Sequence, residues 1–196
     1  MSSSKYLEPL LDVIRDFVAW INDQNVPSAI IGGVAAGILG RPRVTRDVDA
    51  VLLLDISDAV SFLAAGLRFG FSPRFADTLD FAARRRVLLV VHDATGLNVD
   101  LSLGATPFET QSVSRATLRT VGGVSFPVVT AEDLVVMKAL ARRARDVADI
   151  EGVLDTHPDI DLERVRYWVA QFASVLEAPE ILEDLDKILS RKPRQG

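Results

Sequence analysis

Two aspartates one residue apart, Asp47 and Asp49, open the apolar run Asp47-Val48-Asp49-Ala50-Val51-Leu52-Leu53-Leu54. In a strand, residues i and i+2 share a face, so both carboxylates project together. Like charges on a half-buried face repel, and each carries a desolvation cost. A divalent cation offsets both, and Mg²⁺ suits the pair because it takes hard oxygen ligands from one or two carboxylates plus substrate phosphates. A third carboxylate, Asp100, is embedded in the stretch Asn98-Val99-Asp100-Leu101-Ser102-Leu103. A glycine pair, Gly32-Gly33, precedes the aspartates, and Arg41, Arg43 and Arg46 lie beside them, where a phosphate-facing role fits.

The elements that must position these groups follow from periodicity. Leu7, Leu10, Leu11, Ile14, Phe17, Val18 and Ile21 repeat at helical spacing, which predicts a helix ending near Asn22-Asp23. Ser28–Ile31 reads as a short strand halted by Gly32-Gly33, and 34–39 as a short helix closed by Gly40 and Pro42. Residues 47–54 read as a central strand, and 57–68 as a helix capped by Ser57 and ended at Gly70. Strands are expected over 87–92 and 97–103, joined by the turn Asp93-Ala94-Thr95-Gly96. A short helix over 106–115 and a hairpin of 118–121 with 124–129 about Gly122-Gly123 come next. Thr130 and Asp133 predict a helix start running to about Arg143, followed by helices at 146–155, 162–176 and 179–189. The expected organisation is a mixed α/β core over 1–130 with the N-terminal helix, and a helical C-terminal part over 131–196 that packs on it.

Composition narrows the function classes. A chain of 196 residues with 48% hydrophobic and 25% charged residues has the material for a folded core, which argues against disorder. The absence of cysteine excludes disulfides, thiolate metal sites and cysteine nucleophiles. His92 and His157, far apart in sequence, do not suggest a zinc site or a serine triad. Residues 1–145 carry 16 Lys/Arg against 15 Asp/Glu, whereas 146–190 carry 3 against 12. That balance argues against a uniformly basic nucleic-acid binder, although Arg84-Arg85-Arg86 and Arg142/Arg143/Arg145 form local basic clusters. Trp20 and Trp168 sit in amphipathic stretches and are expected to pack between helices. The N-terminal stretch, acidic at Glu8, Asp12 and Asp16, reads as neither a signal peptide nor a spanning helix, so a cytoplasmic location without membrane partners is expected.

Strand, Gly32-Gly33, short helix, the approach Arg43-Val44-Thr45-Arg46, Asp47-Val48-Asp49 and a third strand aspartate in this order resemble the nucleotidyltransferase superfamily of DNA polymerase beta type. Further on, Asp100-Leu101-Ser102-Leu103-Gly104-Ala105-Thr106-Pro107-Phe108-Glu109, then Val128–Lys138, then Arg145-Asp146-Val147-Ala148-Asp149-Ile150 look like the AbiEii-like nucleotidyltransferases, a toxin-like group of toxin–antitoxin systems. The resemblance spans roughly residues 25–155, and the last 40 or so match no family we can name.

It implies an α/β (α+β) nucleotidyltransferase-type mixed β-sheet flanked by helices. It also implies Mg²⁺-dependent transfer of a nucleoside monophosphate from an NTP to a hydroxyl, with release of pyrophosphate. Under it, backbone amides of Gly32 and Gly33 contact the phosphates at a helix N-terminus. Asp47 and Asp49 ligate one or two Mg²⁺ ions, with Asp100 as third metal-binding carboxylate and candidate base. Lys138 pairs with the triphosphate as a point charge, with Asp149, and with less support Asp146, near it. Arg43 or Arg46 reaches a phosphate, and Thr45 orients Asp47. The acceptor is RNA such as tRNA, or protein, and an antitoxin partner follows from the toxin-like reading. The alternatives are a small hydroxylated acceptor of the antibiotic type, or a non-catalytic nucleotide-binding regulator. Retention of all three carboxylates favours catalysis.

Overall fold

The computed structural model describes the backbone of residues 4–190 and the side chains of residues 8–190. Leu7 of the N-terminal apolar period, the opening Met1-Ser2-Ser3 and the closing residues 191–196 lie outside the described side chains. Helix α1 (Ser4–Asp23) buries Leu11, Ile14, Phe17, Val13, Trp20 and Ile21, the inward stripe of an amphipathic helix. Strand β1 (Ser28–Ile31), helix α2 (Gly32–Leu39) and strand β2 (Asp47–Leu52) follow.

The helix expected over 57–68 is broken into three pieces, namely a 3₁₀ turn at Ile56–Asp58, helix α3 (Ala59–Gly66) and a second 3₁₀ turn at Leu67–Phe69. Its expected cap at Ser57 is corrected: Asp55 supplies the cap, its side chain accepting the Ser57 N–H. Asp55 can do so because it is still extended, at φ −69° and ψ 145°, one residue before the first turn.

Strand β3 (Phe71–Pro73) and helix α4 (Thr78–Arg85) come next, neither of them anticipated. Strands β4 (Val87–His92) and β5 (Asn98–Leu103), helix α5 (Pro107–Ser114), and the hairpin of β6 (Thr117–Val121) and β7 (Val124–Val128) complete this stretch. Thr106 caps α5 in a reciprocal box with Glu109. Helices α6 (Ala131–Ala141), α7 (Ala144–Thr156), α8 (Leu162–Val175) and α9 (Glu180–Leu189) follow the sheet.

The chain divides into two compact units, one of residues up to Val34 with Val44–Val129, the other of Ala35–Arg43 with the chain from Thr130 onward. The first holds a seven-stranded mixed sheet of order β3-β4-β5-β2-β1-β7-β6. β2–β5 and β1–β7 are parallel pairs, and the rest are antiparallel. Burial alternates along β4 and β5 and through the first half of β2. Val48, Ala50, Val99, Leu101, Leu88 and Val90 are fully or almost fully buried. Phe71 and His92 pair across β3 and β4 on that same face. Trp20 of α1 stacks on Phe71 at 5.1 Å and on Phe62 of α3 at 4.2 Å, and its indole N–H donates to the Phe62 carbonyl. His92 hydrogen-bonds through both ring nitrogens, Nδ1 with the Thr95 hydroxyl at 2.9 Å and Nε2 with the accepting carboxylate of Asp16 of α1 at 3.0 Å. One face of the sheet is therefore the core. The other carries Asp47, Asp49 and Asp100 among apolar residues such as Val51 and Leu89.

The second unit is a helical cluster. Leu134 and Val135 of α6, Ile150 and Val153 of α7, Val165 and Val169 of α8, and Leu185 of α9 form its interior. A fully enclosed carboxylate of this unit, Asp133, accepts both Nε and Nη2 of Arg164 through Oδ1 at 3.1 and 2.9 Å. No described helix is long and apolar enough to cross a membrane.

Candidate active site

Asp47 and Asp49 lie on the face of β2 opposite the core, with Val48 and Ala50 buried between and beyond them. Parallel pairing sets Asp49 beside Asp100 of β5. Partners in register point to the same side of a sheet, so all three predicted carboxylates share one face. Thr45 donates its hydroxyl to Asp47 Oδ1 at 2.8 Å and fixes that carboxylate from the preceding loop, as the sequence led us to expect.

The glycine turn is built around Asp49. Antiparallel pairing sets Ile31 opposite Asp49, so the chain leaves β1 directly beneath that carboxylate. Gly32 starts α2 with φ +62°, and a Cβ there would stand 1.9 Å from Asp49 Oδ2. Only glycine tolerates both the backbone angle and the carboxylate against it. The acid thereby rests at the N-terminal end of α2, where the aligned peptide dipoles favour negative charge. Gly33 is buried within the first turn, and Arg46 is exposed just before β2.

Arg74 is the residue at these carboxylates that the sequence did not disclose. Its backbone N–H donates to the Leu89 carbonyl at 3.0 Å, continuing the β3–β4 register one step past Pro73–Val90. Leu89 pairs with Asp100, and Asp100 with Asp49. Arg74, Leu89, Asp100 and Asp49 thus form one transverse row across four strands. From its end, Arg74 Nη2 reaches over Leu89 and donates to Asp100 Oδ1.

The predicted residues of the second unit also come together. Lys138 Nζ of α6 donates to Asp146 Oδ1 at 2.8 Å and stands 2.9 Å from Asp149 Oδ2, both acids lying one turn apart on α7. Arg43 clasps Asp149 from the other side, Nε to Oδ1 at 2.8 Å and Nη2 to Oδ2 at 3.0 Å. Lys138, Asp146 and Asp149 are all buried, not the solvated helix surface that their charges alone would suggest. Burial by itself pushes the Asp149 carboxyl up, but hydrogen bonds from Arg43 and Lys138, and their charges, hold it below its ordinary value. Asp146 Oδ2 in addition accepts the Arg143 N–H, which ties down the first turn of α7.

The donor set suits Mg²⁺ in kind, since Asp47, Asp49 and Asp100 offer only hard oxygen atoms. Asp47 and Asp49 fit an ion of the sort that completes its shell with phosphate and water. Among the described residues no three acidic or histidine side chains stand grouped to hold a metal by themselves. Asp100, engaged by Arg74, is the member whose present partner is a side-chain cation.

No known family model and no curated protein matches the sequence. The fold does have solved counterparts. The antibiotic-resistance factor ANT(2″)-Ia, determined in solution, is 15% identical, with 87% of this chain and 95% of that chain covered and a TM-score of 0.59. The same factor in complex with adenylyl-2″-tobramycin is 14% identical, covering 85% and 98% with a TM-score of 0.55. An antigenic nucleotidyltransferase-like protein from Paracoccidioides brasiliensis is 17% identical, covering 88% and 92% with a TM-score of 0.51. At such identities the likeness is one of fold. The mixed sheet flanked by helices is a nucleotidyltransferase fold.

Proposed function

We propose that this protein is a Mg²⁺-dependent nucleotidyltransferase that moves a nucleoside monophosphate from an NTP to an acceptor hydroxyl and releases pyrophosphate. One observation carries the reading: on a nucleotidyltransferase fold, Asp47 and Asp49 share the half-buried face of β2 opposite the core, and Asp49 rests on the Gly32 turn that opens α2. Asp47 and Asp49 would hold the ion, with Asp100 as third carboxylate. Bound there, Mg²⁺ would neutralise charge on the triphosphate and on the departing pyrophosphate.

The chain's own residues supply the rest. The first amides of α2, at Gly32 and Gly33, would donate to phosphate oxygens. Asp100 is the base that would take the proton from the attacking hydroxyl. Arg46 offers an exposed cation on the approach to β2, and Lys138 and Arg43, both held by Asp149, are basic groups of the helical unit. Catalysis of this kind is largely positioning and electrostatic stabilisation.

The AbiEii-like motifs support RNA or protein as acceptor and a toxin role with an antitoxin partner. The solved complex of a fold relative with adenylyl-2″-tobramycin supports a small hydroxylated acceptor. Incubating the protein with each α-labelled NTP, Mg²⁺, and in turn total RNA, cell protein and an aminoglycoside separates these by the fraction that takes label. Asp47→Ala and Asp49→Ala should each abolish labelling with the fold intact. Labelling retained in both overturns the two-carboxylate site, and no labelling with any NTP points to a nucleotide-binding protein without turnover.

A further inference from the structure

We propose that the Arg74 guanidinium and a divalent cation compete for Asp100, so that Arg74 guards the third carboxylate until a metal displaces it. This rests on the nucleotidyltransferase reading above and adds to it a residue that neither the motifs nor the comparisons assign.

The row Arg74, Leu89, Asp100, Asp49 is fixed by backbone pairing, not by chance approach of flexible side chains. Neighbouring strands lie about 4.8 Å apart, so Arg74 and Asp100 start two strand spacings from each other. An arginine spans that distance when extended, and Nη2 ends on Asp100 Oδ1. Leu89, the residue between them, offers no polar group to intercept it. Asp49 lies one strand further on, so the guanidinium occupies the approach to Asp100 on the same face as the β2 carboxylates.

The pairing is also built to open. The Arg74 and Asp100 side chains are 30% and 38% exposed, against 10% and 2% for Lys138 and Asp146. A half-exposed pair exchanges protein for water contacts at little cost, whereas a buried one does not. Arg74 Nε is buried with no hydrogen-bond partner, so the resting position leaves one donor of the guanidinium unsatisfied. A second cation arriving at Asp100 would meet repulsion from Arg74 until the guanidinium turns outward, after which both charges are accommodated.

The test is Mn²⁺ binding to the full chain without nucleotide, followed by the electron paramagnetic resonance signal of free Mn²⁺. Arg74→Gln should bind Mn²⁺ about tenfold more tightly than wild type, the change that corresponds to one lost charge-assisted hydrogen bond. Adding Asp100→Asn to Arg74→Gln should remove that gain. Arg74→Lys, which keeps the charge on a simpler donor, should fall between wild type and Arg74→Gln, and serves alone if Arg74→Gln does not fold. Mn²⁺ binding that needs Asp49 but is unchanged or weaker in the Arg74 variants overturns the competition and leaves the transferase reading standing. No Mn²⁺ bound by wild type or any Arg74 variant overturns the competition as well. Competition observed together with no label transfer to any acceptor overturns the transferase reading alone.

Discussion

The Asp49 carboxylate lies against the α-carbon of Gly32, at a point where a Cβ would come within 1.9 Å of Oδ2. Sheet register makes this contact, since Asp49 is paired with Ile31, the residue before the turn. A glycine at the head of α2 and an acid in β2 therefore form one structural unit.

Gly32→Ala should abolish nucleotide transfer and lower stability. Gly96 provides the control, because its φ of +69° is similar but nothing lies within 4 Å of a Cβ placed there. Gly96→Ala should cost about 1–2 kcal/mol from backbone strain alone and keep full activity. Gly32→Ala should cost more, since Asp49 must also move. Equal melting temperatures and equal labelling in the two variants would show that Asp49 does not rest on Gly32.

Lys138 holds two buried carboxylates, and only one of them, Asp149, has Arg43 as a second cation partner. Lys138→Met should therefore destabilise the protein by about 3–5 kcal/mol, because the Asp146 charge is left buried without its cation. Neutralising that acid as well, in Lys138→Met/Asp146→Asn, should recover part of the loss while preserving an acceptor for the Arg143 N–H. Urea unfolding of the two variants checks the order. A double variant no more stable than Lys138→Met refutes the account.

Asp149 also predicts an acid dependence. Its carboxyl is held below the ordinary value of 3.8 in the folded protein, against the opposing pull of burial, by hydrogen bonds from Arg43 and Lys138. On acidification the unfolded chain takes up this proton first, so the stabilisation is present at neutral pH and fades as pH falls toward and through the folded pKa. The stability difference between wild type and Asp149→Asn should hold down to about pH 5 and shrink as pH falls through 3.8 and on toward the lower folded pKa. A constant difference across that range would show that Asp149 is not held by these cations.

Much of this arrangement was legible because it is written in short-range pattern. The apolar run after Asp47 and Asp49 marked β2, the turn Asp93-Ala94-Thr95-Gly96 marked β4 and β5, and Gly122-Gly123 marked the hairpin of β6 and β7. The common face of Asp47 and Asp49 follows from strand geometry alone. What stayed hidden depends on tertiary register. β3 is only three residues long and ends in Pro73, so Phe71-Ser72-Pro73 carries no alternation to read. Without β3 at the sheet edge, nothing in the sequence brings Arg74 to Asp100, 26 positions later. Ser57 was chosen as a cap on residue type, but the chain turns two residues earlier, where Asp55 is better placed. Asp146 carried the weaker expectation and proves as closely bound to Lys138 as Asp149 is, a relation set by how α6 meets α7.

Asp133 and Arg164 link α6 to α8 and predict an asymmetry between their variants. Asp133 is fully enclosed, whereas the Arg164 side chain is 15% exposed and lies 6.0 Å above the Trp168 ring. If Asp133 is neutralised as Asn, the guanidinium can still shift toward solvent and keep its contact with the indole, so the loss should be modest, about 1–2 kcal/mol. If Arg164 becomes Met, the carboxylate has no such exit and loses the cation that donated two hydrogen bonds to it. Removing one partner of a buried pair in this way costs about 3–5 kcal/mol. Arg164→Met should therefore unfold at clearly lower urea than Asp133→Asn. Adding Asp133→Asn to Arg164→Met should restore stability toward the Asp133→Asn value, because the stranded charge is gone. Equal losses in the two single variants, or no recovery in the double, would mean that the ion pair is not what joins these helices.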